Sequence, residues 1–208
     1  MNTYVYVDGF NLYYGSVKGT PYKWLNILSL CQKLLPKNDI VKIKYFTALI
    51  TARPGDVDQP NRQQIYLRAL RTIPDLEIIY GHFLEHAVKM PLTSSLGGKI
   101  QYAQVMKTEE KGSDVNIAAH LINDGYKGLY KVAVLITNDS DLIEPIKIVR
   151  NDLHPPVGVL NPRPATPSHE LQKCATFVKP IRTGVLASSQ FSPILSDATG
   201  DFQKPPTW

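Results

Sequence analysis

Hydrophobic positions fall into two kinds of run that alternate along the chain. Thr3–Asp8 is rich in Val and Tyr and stops at an aspartate before Gly9, the pattern of a β-strand. Trp24–Leu35 follows with Leu25, Leu28, Cys31 and Leu35 at helical intervals, and Pro36 ends it. Val41–Ile50 reads as a second strand, and Pro54-Gly55-Asp56 as a loop. Arg62–Thr72 reads as a helix whose Ile65, Tyr66, Ala69, Leu70 and Ile73 face a core. Leu76–Tyr80 is a short strand, whereas residues 81–106, with Pro91, Ser94, Ser95, Gly97 and Gly98, predict a hairpin or long loop facing solvent.

The second half repeats the alternation. Gly112-Ser113-Asp114 opens a helix with Ser113 as the expected N-cap and Val115, Ala118, Ala119 and Ile122 as the expected buried stripe. Val132–Thr137 is an unbroken apolar strand, the kind buried on both faces of a parallel sheet. A helix from Ser140 or Asp141 then carries Leu142, Ile143, Ile146 and Val149 inward, with Pro145 tolerable in its first turns. Val157–Leu160, a Pro-rich loop over Asn161–Pro167, a helix from Ser168 to Cys174 and a last strand at Phe177-Val178 complete the series. Strands and helices alternating at this spacing predict an α/β fold with a mostly parallel central sheet and helices on both faces. Residues 1–180 form one expected domain. Residues 181–208, rich in Ser, Pro and Thr, read as a tail whose Val185, Leu186, Phe191, Ile194, Leu195 and Trp208 pack on the domain or on a partner, a second copy included.

Composition narrows the classes. At 208 residues, 43% hydrophobic and 20% charged, the chain has an ordinary globular composition. Its apolar runs are far shorter than the roughly 20 residues of a membrane span, and with no signal-like N-terminus the expectation is a cytoplasmic protein. Cys31 and Cys174 belong to no ligand motif and are expected as reduced, buried thiols. The +5 net charge permits a polyanionic partner without requiring one.

Candidate chemistry lies where strands end and helices begin. Asp8 follows the first strand, Asp114 opens a helix, and Asp139 and Asp141 follow the Val132 strand. A parallel sheet brings the carboxyl ends of its strands to one edge, so these four carboxylates are expected to meet there. Singly, each is an ordinary cap or loop residue. Together they would repel one another unless a hard cation such as Mg²⁺ or Mn²⁺, which prefers oxygen ligands, offset the charge. His82-Phe83-Leu84-Glu85-His86 has the spacing of a zinc-protease helix, but it follows a predicted strand directly, which is the wrong context.

Val7-Asp8-Gly9-Phe10-Asn11-Leu12, Glu110-Lys111-Gly112-Ser113-Asp114 and Thr137-Asn138-Asp139-Ser140-Asp141 occur together and in order. In these motifs the chain resembles the NYN domain family, which includes LabA-like proteins and is similar in fold to PIN and FLAP-type nucleases. The resemblance implies a PIN-like three-layer α/β/α domain carrying a metal-dependent ribonuclease site. It makes Asp8, Asp114, Asp139 and Asp141 the catalytic and metal-binding acids, with Asn11 and Ser140 as supporting polar groups. Relatives often carry an Ala-Asp pair near the end of the domain, where this chain has Cys174-Ala175. Cleavage would then proceed by in-line attack of a metal-activated water, without a side-chain nucleophile.

An acidic site on a basic chain requires the positive charge to lie elsewhere. Lys111, Arg53, Arg62, Arg68 and Lys99 are candidates for a rim holding the RNA backbone, and Tyr13 and Tyr14 for stacking unpaired bases. The competing expectation is a non-catalytic RNA-binding or protein-interaction module on the same fold.

Overall fold

A computed structural model describes residues 1–52, 54–93 and 100–208. Its centre is a sheet of six strands, all parallel: β1 (Asn2–Asp8), β2 (Asp39–Thr47), β3 (Leu76–Tyr80), β6 (Val132–Ile136), β7 (Val157–Asn161) and β8 (Phe177–Pro180). They lie in the order β3-β2-β1-β6-β7-β8. The chain builds outward from β1 in one direction and, after a long excursion, from β6 in the other. The order therefore reverses between β1 and β6, the position where open α/β sheets form a ligand crevice.

Alternate residues of β1 point to opposite faces, and each face has its own core. Val5 and Val7 pack with Leu30 of α2 (Ile27–Leu34), Leu67 and Leu70 of α3 (Gln59–Arg71) and Leu186 of α7 (Thr183–Ala187). Tyr6 packs with Ile117 and Leu121 of α4 (Ser113–Tyr126), Ile146 of α5 (Ile143–Ile148) and Leu171 of α6 (His169–Cys174). The result is the expected three-layer arrangement. Both cysteines are free and buried.

Several boundaries differ from the sequence expectation. α2 begins at Ile27 because Asn26 accepts a hydrogen bond from the Ser29 amide at 2.9 Å, while Leu25 bridges to Gln190 instead. α3 starts at Gln59, earlier than expected, and β2 stops at Thr47. The segment after β3 forms a hairpin of two ten-residue strands, β4 (His82–Pro91) and β5 (Tyr102–Lys111), so its second strand runs past Met106. Ser94, Ser95, Gly97, Gly98 and Lys99 fall outside the described residues. His82 and His86 lie on β4, in extended backbone that gives them no shared helical face.

Of the stripe expected on α4, Ala118 and Ile122 pack against the core and the other two residues do not. Val115 is 72% exposed and Ala119 is exposed too, while Ile117, Leu121 and the polar Ser113 and Asp124 face inward. Gly112, at φ 98°, takes the N-cap position expected for Ser113. Ser113 instead donates its hydroxyl to Glu110 Oε1 at 2.9 Å. At the other end of the helix, buried Asp124 accepts from Lys44 Nζ at 2.6 Å and from the Tyr6 hydroxyl at 2.8 Å. A charged pair with this little solvent requires such partners, because an unpaired buried charge costs several kcal/mol.

The final segment folds back onto the chain. Trp24 Nε1 donates to the Ser192 carbonyl at 2.8 Å, and its indole meets the rings of Phe191, Phe202 and Trp208 at 5.7, 6.4 and 6.5 Å. Phe202 belongs to a small hairpin, β9 (Ile194–Asp197) and β10 (Gly200–Gln203), that Arg68 grips through Asp197 at 2.7 and 2.8 Å.

The buried pair supplies a test of how α4 is held. Asp124→Ala leaves the Lys44 ammonium without its carboxylate, with His120 Nδ1 beside it at 3.0 Å, and should lower unfolding free energy by about 3–5 kcal/mol in urea titrations. The Lys44→Met, Asp124→Leu double variant should recover most of that loss. A single-variant cost below about 1 kcal/mol would show that the pair does not secure the helix.

Candidate functional site at the carboxyl edge of the sheet

Three segments converge at the crevice between β1 and β6. Asp8 ends β1 as the N-cap of the short helix α1 (Gly9–Leu12), its Oδ1 accepting from the Asn11 amide at 2.9 Å. Its other oxygen faces the Thr137 hydroxyl at 3.3 Å, and that same hydroxyl accepts from the Asp139 amide at 3.0 Å. Thr137 thereby links the end of β1 to the turn that follows β6. Asp139 caps this turn, which covers Ser140–Leu142, by accepting from the Asp141 amide at 3.0 Å.

Asn11 makes a second link. Its side-chain oxygen accepts from the Asn138 amide at 3.0 Å, and Asn138 in turn accepts from Ser168 at 2.8 Å and donates to Thr166 at 3.0 Å. Asn11 is thus a positioning residue, joined through Asn138 to the start of α6. The third segment is the start of α4, which packs against the Ser140–Leu142 turn and carries Asp114. Gly81 makes this approach possible, since a Cβ there would lie 2.5 Å from Glu110 Oε1 and from the Lys111 carbonyl. Phe83 at the base of the long hairpin rests edge-on against Phe10 of α1, with centroids 5.6 Å apart.

The carboxylates share one electrostatic neighbourhood. Burial, with the charges of Asp114 and Asp139 adding to it, pushes Asp8 up to about 7 despite the hydrogen bonds from Asn11 and Thr137. Asp114 is also raised, first by burial and then by Asp139, Glu110 and Asp141. The acids feel one another without forming a closed cage. Among the described residues, no three His, Cys, Asp or Glu side chains stand close enough to hold an ion between them. Ser140 and Asp141 are exposed at the rim.

The cationic candidates are scattered. Lys111 is exposed beside the start of α4 and pairs with Glu109 at 3.1 Å. Arg62 binds both oxygens of Asp56 at 2.6 and 2.5 Å. Arg68 is committed to Asp197, Thr199 and the Gly200 carbonyl on the far hairpin. Arg53 and Lys99 lie outside the described residues. Tyr13 and Tyr14 meet edge to face at 5.2 Å, and Lys18 stands 4.8 Å over the Tyr14 ring. Both tyrosines line a cavity of about 380 Å³ that opens beside Gly9.

Thr137, Asn138 and Glu110 are site residues that stand within the family motifs but to which sequence reasoning gave no role. Thr137 and Asn138 sit between the apolar run and Asp139, and that adjacency and their place in the motif were their signals. The place held by Cys174-Ala175 ends α6, where Cys174 is buried in the core.

The sequence matches the NYN domain over residues 2–186, and the chain belongs to the NYN domain family, with its PIN-like nuclease fold. A curated relative from Pseudomonas putida, 6-hydroxy-3-succinoylpyridine 3-monooxygenase HspA, is 31% identical over 238 aligned positions covering all of this chain and 75% of that protein. A crystal structure of a Vibrio parahaemolyticus protein of unknown function matches 88% of this chain and 93% of its own, with a TM-score of 0.57 at 17% identity. That likeness concerns the fold.

The elevated Asp8 makes stability depend on pH in a defined direction. Between about pH 4 and pH 7 the folded state keeps a proton that the unfolded chain has released, so stability falls as pH rises through that window. Asp8 alone accounts for up to about 4 kcal/mol. Urea unfolding in EDTA should show Asp8→Asn gaining on the wild type as pH increases, because Asn keeps the cap without the charge. Parallel stability curves for the two proteins would show that Asp8 is not destabilised in the folded state.

Proposed function

We propose that the acidic edge hydrolyses phosphodiester bonds of single-stranded RNA with Mg²⁺ or Mn²⁺. One joint observation supports this reading: on an NYN domain, burial and neighbouring acids, Asp139 among them, raise the proton affinity of both Asp8 and Asp114 at the crevice between β1 and β6. A surface that only bound RNA would gain nothing from concentrated negative charge.

The donor set is entirely oxygen. It fits a hard, hydrated cation held through one or two carboxylates, retained waters and the substrate phosphate, which does not require three protein ligands in a cage. Asp8 and Asp114 would hold the ion, with Asp139 and Asp141 at its outer side. When bound, it would neutralise the scissile phosphate and lower the pKa of a water for in-line attack. Thr137 and the Asn11 amide orient the Asp8 carboxylate, and Asn11 and Asn138 hold the two loops at a fixed separation. Lys111 places a cation next to Asp114 in sequence, where a phosphate would approach. Tyr14, exposed beneath Lys18, offers a stacking face for an unpaired base.

A second reading is favoured by the aromatic cavity beside Gly9. It makes the chain an enzyme for a small aromatic molecule, as the name of the Pseudomonas putida relative records for that protein.

The full chain incubated with a labelled single-stranded RNA pool should cut it in Mn²⁺ or Mg²⁺ and not in EDTA. Asp8→Asn and Asp139→Asn should each lower the rate by about 100-fold or more, the order of loss when one electrostatic partner of a transition state is removed. Asn still caps at position 139, so that variant should melt with the wild type in EDTA. Absence of cleavage, cleavage indifferent to EDTA, or variants as active as the wild type would refute the ribonuclease reading.

A further inference from the structure

The cavity of about 380 Å³ is walled by Phe10, Tyr13, Tyr45, Tyr66 and the terminal Trp208. Its volume is in the range of small-molecule sites and far below what a folded macromolecular partner requires. Tyr66 and Trp208 meet edge to face at 5.8 Å, which leaves flat ring surfaces around the space. An interior of this kind selects a planar ring.

Several of its polar groups already have partners. Gln63 accepts from the Ile50 amide and donates to the Ala48 carbonyl, and Tyr66 donates to the Leu25 carbonyl. Arg62 is neutralised by Asp56. Two groups differ. Tyr45 is only 6% exposed, yet among the described residues its hydroxyl has no hydrogen-bond partner. Lys23 lines the same space and, among the described residues, forms no ion pair. A phenol hydroxyl without a partner among the described residues and an unpaired cation at the wall of an aromatic cavity offer two points of contact to a ligand.

We propose that this cavity binds a single-ring heteroaromatic carboxylate, with a ring oxygen or nitrogen accepting from the Tyr45 hydroxyl and the carboxylate on Lys23. The inference rests on the second reading of function and names its ligand class. The end of the Tyr45 side chain lies over Gly9, where an added Cβ would come within 2.8 Å of the hydroxyl. A ring bonded there lies beside the residue that follows Asp8, at the inner end of the acidic edge. Glycine at position 9 is thus a condition for the tyrosine's placement.

The probe is 6-hydroxynicotinate, titrated into the full chain in EDTA by calorimetry, with its ultraviolet spectrum followed before and after. One saturable site is expected. Tyr45→Phe should weaken binding about tenfold, the value of one neutral hydrogen bond. Lys23→Met should weaken the acid by a similar factor and leave 2-pyridone, which lacks the carboxylate, unchanged. Circular dichroism melts of both variants confirm that the fold persists. No saturable binding, equal binding by both variants, or tighter binding of uridine monophosphate than of the acid would overturn the proposal, the last result assigning the cavity to a nucleobase. Binding and turnover are separate readings. Ligand bound but recovered unchanged when metal, dioxygen and a two-electron reductant are all supplied leaves the binding site standing and removes the small-molecule enzyme reading, whereas absent binding removes the site whichever reaction the acidic edge performs.

Discussion

The structure depends on β1 being buried on both faces and paired on both edges. Val5 and Val7 serve one core and Tyr6 the other, while β2 and β6 occupy its two sides. Such a strand has no freedom to slip, since a shift of one residue would exchange its two faces. Its last residue, Asp8, is therefore fixed at the reversal of strand order. The desolvation that raises its proton affinity is a consequence of that placement, as is its proximity to the turn after β6.

α4 completes the edge because it is fixed at both ends. At its start Glu110 receives the Ser113 hydroxyl, and at its finish Asp124 is held by Lys44 and Tyr6. These polar contacts set the rotation and axial position of the helix, which determine where Asp114 stands. The buried ion pair lies away from the crevice, yet the acidic edge relies on it for geometry.

Those same contacts explain what sequence reading missed. The inward face of α4 contains Ser113 and Asp124, so a search for apolar spacing selected Val115 and Ala119, which are exposed. Apolar runs that end on acids, as at Asp8 and Asp139, were legible because a strand buried on both faces is continuous in sequence. The length of the β4–β5 hairpin was not, since its strands are largely exposed and show no clean alternation. The tail anchored on Trp24 and the aromatic cavity are assembled from residues up to nearly two hundred positions apart, and spacing carries no signal for them. The network of Thr137, Asn138 and Asn11 was hidden for a different reason: hydrogen-bond partners are decided by loop geometry, and residue type alone does not specify them.

On the proposed function, the carboxyl edge between β1 and β6 holds a divalent cation through its aspartates. Crystals of the full chain grown with Mn²⁺ and measured near the manganese absorption edge test it most directly. We expect an anomalous peak bounded by Asp8 and Asp114, absent from crystals of Asp8→Asn. Mn²⁺ bound only elsewhere, or a peak at the edge that persists in Asp8→Asn, would contradict it.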